Sequence, residues 1–339
     1  MGSIRWLGAA LVTLGTACLT VGAEKSDIFT DCKLISRGVN FGNGLEAPNE
    51  GEWGVSLKEE YFEAIAKAGF NSVRVPIRWS AHAEKESPYT IDAKFFQRID
   101  WVIEQALSRE LAVIINVHHY EGMDRDPEAC VPRFLGLWKQ IADRYREKSD
   151  RLIFEVLNEP HEKLTEELWN DIFPKALKVI RTTNPERAVI VGPGHWNSIH
   201  SLEKLSLPED DRRLIVTFHY YEPYHFTHQG APWDPQSAKW KGTTWTGTEK
   251  EQDDLRQSFE KAAAWGKAHD RPMFLGEFGS YEVADMESRA AWTRAVAREA
   301  ERHAIAWCYW EFGAGFGVFD REAGNWRESL KSALLEAKR

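Results

Sequence analysis

Residues 111–120 read LAVIINVHHY and residues 152–160 read LIFEVLNEP, and the stretch Phe134–Lys148 between them has helical periodicity. Each run begins as an unbroken apolar stretch, as a strand buried on both faces requires, and ends in polar or ionisable residues. Two such strands joined by a helix form a parallel crossover unit, and the unit recurs along the chain. Working outward, strand-like runs fall at Gly38–Phe41, Ser72–Ile77, Leu111–Val117, Leu152–Leu157, Ala188–Val191, Leu214–His219, Met273–Gly276 and Ala304–Tyr309. Helical stretches alternate with them at Lys58–Ala68, Ala93–Arg109, Phe134–Lys148, Glu166–Thr182, Gln252–His269 and Met286–Arg302. Ser329–Lys338 follows the last strand, and Pro174 predicts a kink or split in the fourth helix. Eight β/α units without a linker predict the α/β class and a single closed (β/α)8 TIM barrel. A doubly wound open sheet is the competitor. The glycines of Gly38–Gly44 argue against it, because no helix begins there and their spacing does not suit a dinucleotide.

The 339 residues are 43% hydrophobic and 28% charged, which excludes collagen-like, low-complexity and wholly disordered classes. At the N-terminus, Arg5 precedes an apolar stretch, Trp6 to Val21, and Val21-Gly22-Ala23 resembles a cleavage site. Residues 1–23 therefore read as a signal peptide and 24–339 as one catalytic domain, with a secreted or periplasmic destination. An uncleaved anchor is the other reading of that leader. Its removal takes away Arg5 alone and moves the formal net charge from −9 to −10. So acidic a chain suits neither nucleic acid nor an anionic membrane surface, and a monomer is expected. Cys32, Cys130 and Cys308 form no zinc pattern; one bridge with a leftover thiol is open, and no pairing is legible.

Polar groups gather where the strands end. Arg74 lies on the second run; Asn116, His118, His119 and Tyr120 end the third, and Asn158 and Glu159 the fourth. His219, Tyr220 and Tyr221 end the sixth, Glu277 the seventh, and Trp310 and Glu311 the eighth. Six strands thus send chemistry-bearing residues to one end of the barrel, the end where active sites are built. Glu159 and Glu277 are the carboxylates of the set. Cleavage of a glycosidic bond needs such a pair, one acid neutral to protonate the leaving oxygen and one ionised. Arg74 beneath Glu277 is expected to hold its pKa down, and that charge to raise the pKa of Glu159. The segment from Tyr220 to about Thr248, rich in Pro, Gly and Trp, reads as a long loop over the same face.

Taken together, Gly38–Pro48, Val73–Trp79, Asn116–Tyr120, Leu157–Pro160, His219–Tyr221 and Gly276–Gly279 resemble glycoside hydrolase family 5, the cellulase-type retaining glycosidases. The resemblance implies Glu159 as acid/base and Glu277 as nucleophile, with Arg74, Asn158, His118, His219 and Tyr221 in support. Asn158 would meet the sugar 2-hydroxyl. Asn43, Glu46 and His119 would contact sugar, and Trp310 would form a platform under it. Trp233 in the long loop is a second platform candidate, whereas Trp53, Trp79 and Trp196 read as mixed or structural. The activity implied is an endo-acting β-1,4-glucanase with no cofactor and no metal, on β-linked polysaccharide: glucan, glucomannan or mannan. A β-1,4-mannanase or dual enzyme is the alternative. A metal-dependent barrel hydrolase using His118, His119, His219 and Glu277 is a remote one, opposed by Arg74 beside the ligands. A catalytically silent carbohydrate-binding barrel is disfavoured by the presence of both glutamates.

Overall fold

The computed structural model describes residues 1–2 and 27–336, so most of the leader read at 1–23 lies outside the described residues. Eight strands form a closed parallel barrel: β1 (Arg37–Asn40), β2 (Ser72–Val75), β3 (Ala112–Asn116), β4 (Leu152–Glu155), β5 (Val189–Val191), β6 (Leu214–His219), β7 (Met273–Glu277) and β8 (Ala306–Tyr309). Closure is made by β1, which pairs with β2 on one side and β8 on the other. Each predicted run overlaps one of these strands.

Alternation along the strands builds two cores. Outward residues such as Val39, Val73, Val113, Phe154, Val216 and Leu275 pack under the helices. Inward residues Ala112, Ile114, Ile153, Ile190, Ile215, Phe274, Ala306 and Cys308 form a separate cluster inside the barrel. Ile28 and Cys32 of the short helix Ile28–Lys33 close it from below. One pleat higher, the same inward rows turn polar: Asn40, Arg74, Asn116, Glu155 and His219, all buried. The barrel is therefore oily at the bottom and charged at the top.

The helices differ from expectation in two places. The third extends from Pro127 to Tyr145, beginning before Phe134, because a proline is at home in the first helical turn, where its missing N–H would bond nothing. The helix Glu166–Arg181 runs through Pro174 unsplit. Its buried face, Trp169, Ile172 and Phe173 before the proline and Ala176, Leu177 and Ile180 after it, packs on both sides of Pro174. The hairpin Phe319–Asp320/Asn325–Trp326 and the helix Ile28–Lys33 are too short to show periodicity. Segment 220–248 is a long loop holding only the single turns Tyr224–Thr227 and Ser237–Trp240.

Four buried tryptophans pin the strand tops. Their indole N–H groups donate to backbone carbonyls: Trp79 to Asn116, Trp138 to Val156, Trp169 to Gly192 and Trp292 to Glu222, each at 2.9–3.0 Å. Each fills the space behind the sheet and satisfies a carbonyl at or beyond a strand end.

All three described cysteines are free; Cys32 and Cys308 are buried in the inner cluster, and burial pushes the Cys32 thiol up to about 12. A maleimide should modify Cys130 in the native protein and reach Cys32 and Cys308 only on unfolding. Peptide mass spectrometry after native labelling checks this, and early modification of either barrel thiol would contradict the closed lower core.

Candidate active site

Arg74 is the centre of the charged layer. It is fully buried, and its five N–H donors are all engaged. Nε and Nη2 grip the two oxygens of Glu155 at 2.6 Å each. Nη1 donates to Asn40 Oδ1 at 2.9 Å and Glu277 Oε1 at 2.7 Å, and Nη2 donates to Asn158 Oδ1 at 2.7 Å. Because Asn158 accepts through its oxygen, its NH2 is left for the cleft, which Asn158 lines.

Glu277 ends β7 opposite His219 of β6, where the ladder register shifts. Gly276 just before it has no room for a side chain: a Cβ would stand 2.6 Å from Thr217 Oγ1 and 3.0 Å from His219 Nε2. Tyr221 donates its hydroxyl to the second Glu277 oxygen at 2.9 Å. Glu159, beyond the end of β4, has a left-handed backbone (φ 45°), a conformation costing an ordinary residue about 1–3 kcal/mol. His219 bridges the two glutamates, with Nδ1 2.6 Å from Glu159 Oε1 and 3.6 Å from Glu277 Oε2. Asn197 Nδ2, 3.3 Å away, donates to Nε2 of that ring, so the proton of the neutral imidazole sits on Nδ1 and points at Glu159.

Burial pushes Glu159 up to about 7, the nearby Glu155 adding to the rise while Arg74 and His161 oppose it. Glu277 is also raised by burial, with His219 and Arg74 pulling the other way. The expectation that Arg74 would hold Glu277 down is thus corrected: Arg74 acts in that direction, but it shares its charge with Glu155 and burial outweighs it. His219 and His119 are held down at about 4, and His118 well below its ordinary value, each chiefly by burial. His118, His119 and His219 are therefore uncharged at neutral pH.

Around the carboxylates opens a cleft of about 1130 Å³. Asn43, His118, His119, Asn158, Glu159, His219, Tyr221, Trp233, Glu277 and Trp310 all line it. Both adjacent histidines reach it because β3 has already ended at Asn116 and His119 turns left-handed (φ 49°). His118 accepts from the Asn116 amide at 3.1 Å and lies parallel to Trp310, ring centroids 6.0 Å apart. Glu46 does not reach the cleft. It is 1% exposed and folds back to accept from the Asn43 backbone N–H, and burial pushes it up to about 8. It braces the loop that presents Asn43.

Several residues in and beneath the cleft were not assigned a role by the sequence. Glu155 and Asn40 hold Arg74, and Glu311 accepts from the backbone N–H groups of Gly313, Ala314 and Phe316. Trp53 and Trp196, read as mixed or structural, line the cleft, and Trp196 is 45% exposed. Trp196 stands in a run of three left-handed residues, His195–Asn197, that no composition signal marks. A Glu inside the apolar run LIFEV was the one legible hint of Glu155, since a buried carboxylate demands a cation.

Among the described residues, Glu159, His219 and Glu277 each place a donor atom within 4.8 Å of the others, as a metal site would need. Arg74, 2.7 Å from Glu277, occupies the charge position a divalent ion would take. The donors are thus better suited to proton chemistry than to a cation.

A model of the family described as cellulase (glycosyl hydrolase family 5) matches residues 35–315. The chain belongs to glycosyl hydrolase family 5. It is 40% identical over 296 residues to endoglucanase H of Acetivibrio thermocellus, covering 87% of this chain and 31% of that protein. Cellodextrinase A of Ruminococcus flavefaciens is 28% identical, over 80% of this chain and 84% of its own length. The chain spans about a third of the first curated relatives it matches, 31% and 36% of their lengths. A solved structure of Thermotoga maritima Cel5A in complex with mannotriose matches with TM-score 0.90 and 50% identity, over 91% of this chain and all of that one. The cellulose synthase subunit Z of Clostridioides difficile matches with TM-score 0.86 and 39% identity, over 89% and 100%.

Glu155→Ala would leave Nε and one Nη2 hydrogen of buried Arg74 without their acceptors, and should cost about 3–5 kcal/mol of folding stability. Urea unfolding measures this; a loss under about 1 kcal/mol would mean that water compensates Arg74.

Proposed function

We propose that the chain is an endo-acting, retaining β-1,4-glucanase, exported through the leader at its N-terminus. The observation that carries this reading is the carboxylate pair. Glu159 and Glu277 bring one oxygen each within 4.8 Å, nearer the roughly 5–5.5 Å of double displacement than the roughly 6.5–9.5 Å that leaves room for water. The two strands that carry them, β4 and β7, divide the ring into two arcs. Trp196 and Trp233 stand beyond β5 and β6 on one arc, and Trp310 and Trp53 beyond β8 and β1 on the other. Stacking surfaces on both sides of the carboxylates suit a sugar chain that crosses the site and is cut internally.

The chemistry follows from the protonation states. Glu277, ionised and held by Arg74 and Tyr221, attacks the anomeric carbon. Glu159 gives its proton to the departing glycosidic oxygen. His219 donates from Nδ1 to one Glu159 oxygen, leaving the other to carry that proton. In the second step the Glu159 carboxylate takes a proton from water, which attacks the same carbon and releases Glu277. The NH2 of Asn158 is placed to bond the sugar 2-hydroxyl as charge develops. Neutral His118 and His119 offer hydrogen bonds without repelling the positive charge of the oxocarbenium-like transition state.

Mannan or glucomannan is the second reading. The similar Thermotoga maritima Cel5A has been solved with cellobiose as well as with mannotriose.

Reducing-end release should be seen on soluble β-1,4-glucan and glucomannan, and Glu159→Gln should lower kcat on them by about 10²–10⁴. Activity confined to galactomannan would make the chain a mannanase; silence on all three would overturn the reading. The pH profile of kcat/KM should be a bell. Its alkaline limb falls as pH rises through about 7, where Glu159 loses its proton. Its acid limb, where Glu277 gains one, is shifted upward from the ordinary carboxylate value by burial. In Glu159→Gln the alkaline limb should vanish; its persistence would assign that limb to another group.

A further inference from the structure

His161 follows the Asn-Glu-Pro segment, does not line the cleft, and belongs to none of the sets already described. Its Nδ1 lies 2.6 Å from the backbone carbonyl oxygen of Glu159. A carbonyl only accepts, so Nδ1 carries a proton and donates to it. The same nitrogen is 3.5 Å from Asp124 Oδ1, and the ring lies stacked on Trp196, centroids 4.8 Å apart and planes 20° from parallel. Trp196 in turn donates its backbone N–H to the Pro160 carbonyl at 3.2 Å. Next to it, Asn197 bonds His219, which bonds the Glu159 carboxyl. The left-handed run His195–Asn197 thus touches Glu159 twice: at the carboxyl through His219 and at the backbone through His161.

We propose that His161 is a positioning residue for the acid/base, an inference that rests on the role of Glu159 given above. Glu159 sits in a left-handed turn that its own side chain does not favour. The His161 bond to its carbonyl fixes that turn, and with it the direction in which the carboxyl leaves the backbone. Asp124 and Trp196 hold the His161 ring in place. Misplacing an acid by a fraction of an ångström slows proton delivery while leaving the nucleophile untouched.

Aryl β-cellobiosides separate the two effects, because a good leaving group such as dinitrophenolate departs without a proton and a poor one such as phenolate does not. His161→Phe keeps a ring for Trp196 but removes the donor. It should lower kcat/KM on the phenyl glycoside about ten- to a hundredfold and leave the dinitrophenyl glycoside within about twofold. His161→Asn, whose Nδ2 takes the place of Nδ1, should restore most of the loss. His161→Ala at this partly exposed site reads the same split if the phenyl ring is not accommodated. A parallel fall on both substrates, or no fall on either, would overturn the proposal. Glu159→Gln on the same pair separates this failure from that of the parent reading. If Glu159→Gln shows no split, the acid assignment is wrong; if it does and the His161 variants do not, only the positioning role is lost.

Discussion

A single guanidinium in the middle of a closed barrel sets the terms for everything above it. A buried cation is tolerable only when each of its donors is used and its charge is answered. Arg74 meets that demand with Glu155, Glu277, Asn40 and Asn158, and in doing so fixes four side chains from three strands and their ends, β1, β4 and β7. Two carboxylates on one cation leave the layer with an excess negative charge. Burial, with Glu155 adding to it, keeps a third glutamate, Glu159, from ionising easily. Glu155 is therefore as much a part of the chemistry as the residues that face the cleft, although no substrate reaches it.

The cleft works through dipoles more than charges. Burial keeps His118, His119, His219 and His228 neutral, and the hydrogen bonds around two of them fix the tautomer. The Asn116 amide donates to His118 and the Asn197 amide to His219, so each ring presents its N–H on the far side. Oriented donors of this kind need no rearrangement as charge moves during the reaction.

The barrel was legible because strands buried on both faces leave continuous apolar runs, and because ionisable residues cluster at one end of those runs. LAVIINVHHY and LIFEVLNEP carry both signals. The carboxylate pair, the histidines and Tyr221 could be named for the same reason. What stayed hidden depends on direction and on backbone conformation. Glu46 lies in a stretch that resembles sugar-binding loops, yet its side chain turns inward, and sequence does not encode that turn. Trp196 reads like any other aromatic until the left-handed run that swings it outward is seen. Glu155 stays hidden because it falls inside the apolar run Leu152–Leu157, where no neighbour in sequence supplies its partner Arg74. The start of the helix at Pro127 and the continuity through Pro174 were decided by packing that local preference does not report.

The indoles that tie Trp79, Trp138, Trp169 and Trp292 to carbonyls at or beyond the strand ends draw a boundary through the molecule. Below it, backbone position is set by the sheet and the helix ring together. Above it, loops such as 220–248 are anchored at their roots and free to differ in length and content. Natural variation or grafting in those loops can reshape which sugar chain is held, while the geometry of proton and nucleophile stays where the indoles leave it. Substrate range and reaction chemistry are thereby separable traits in this scaffold.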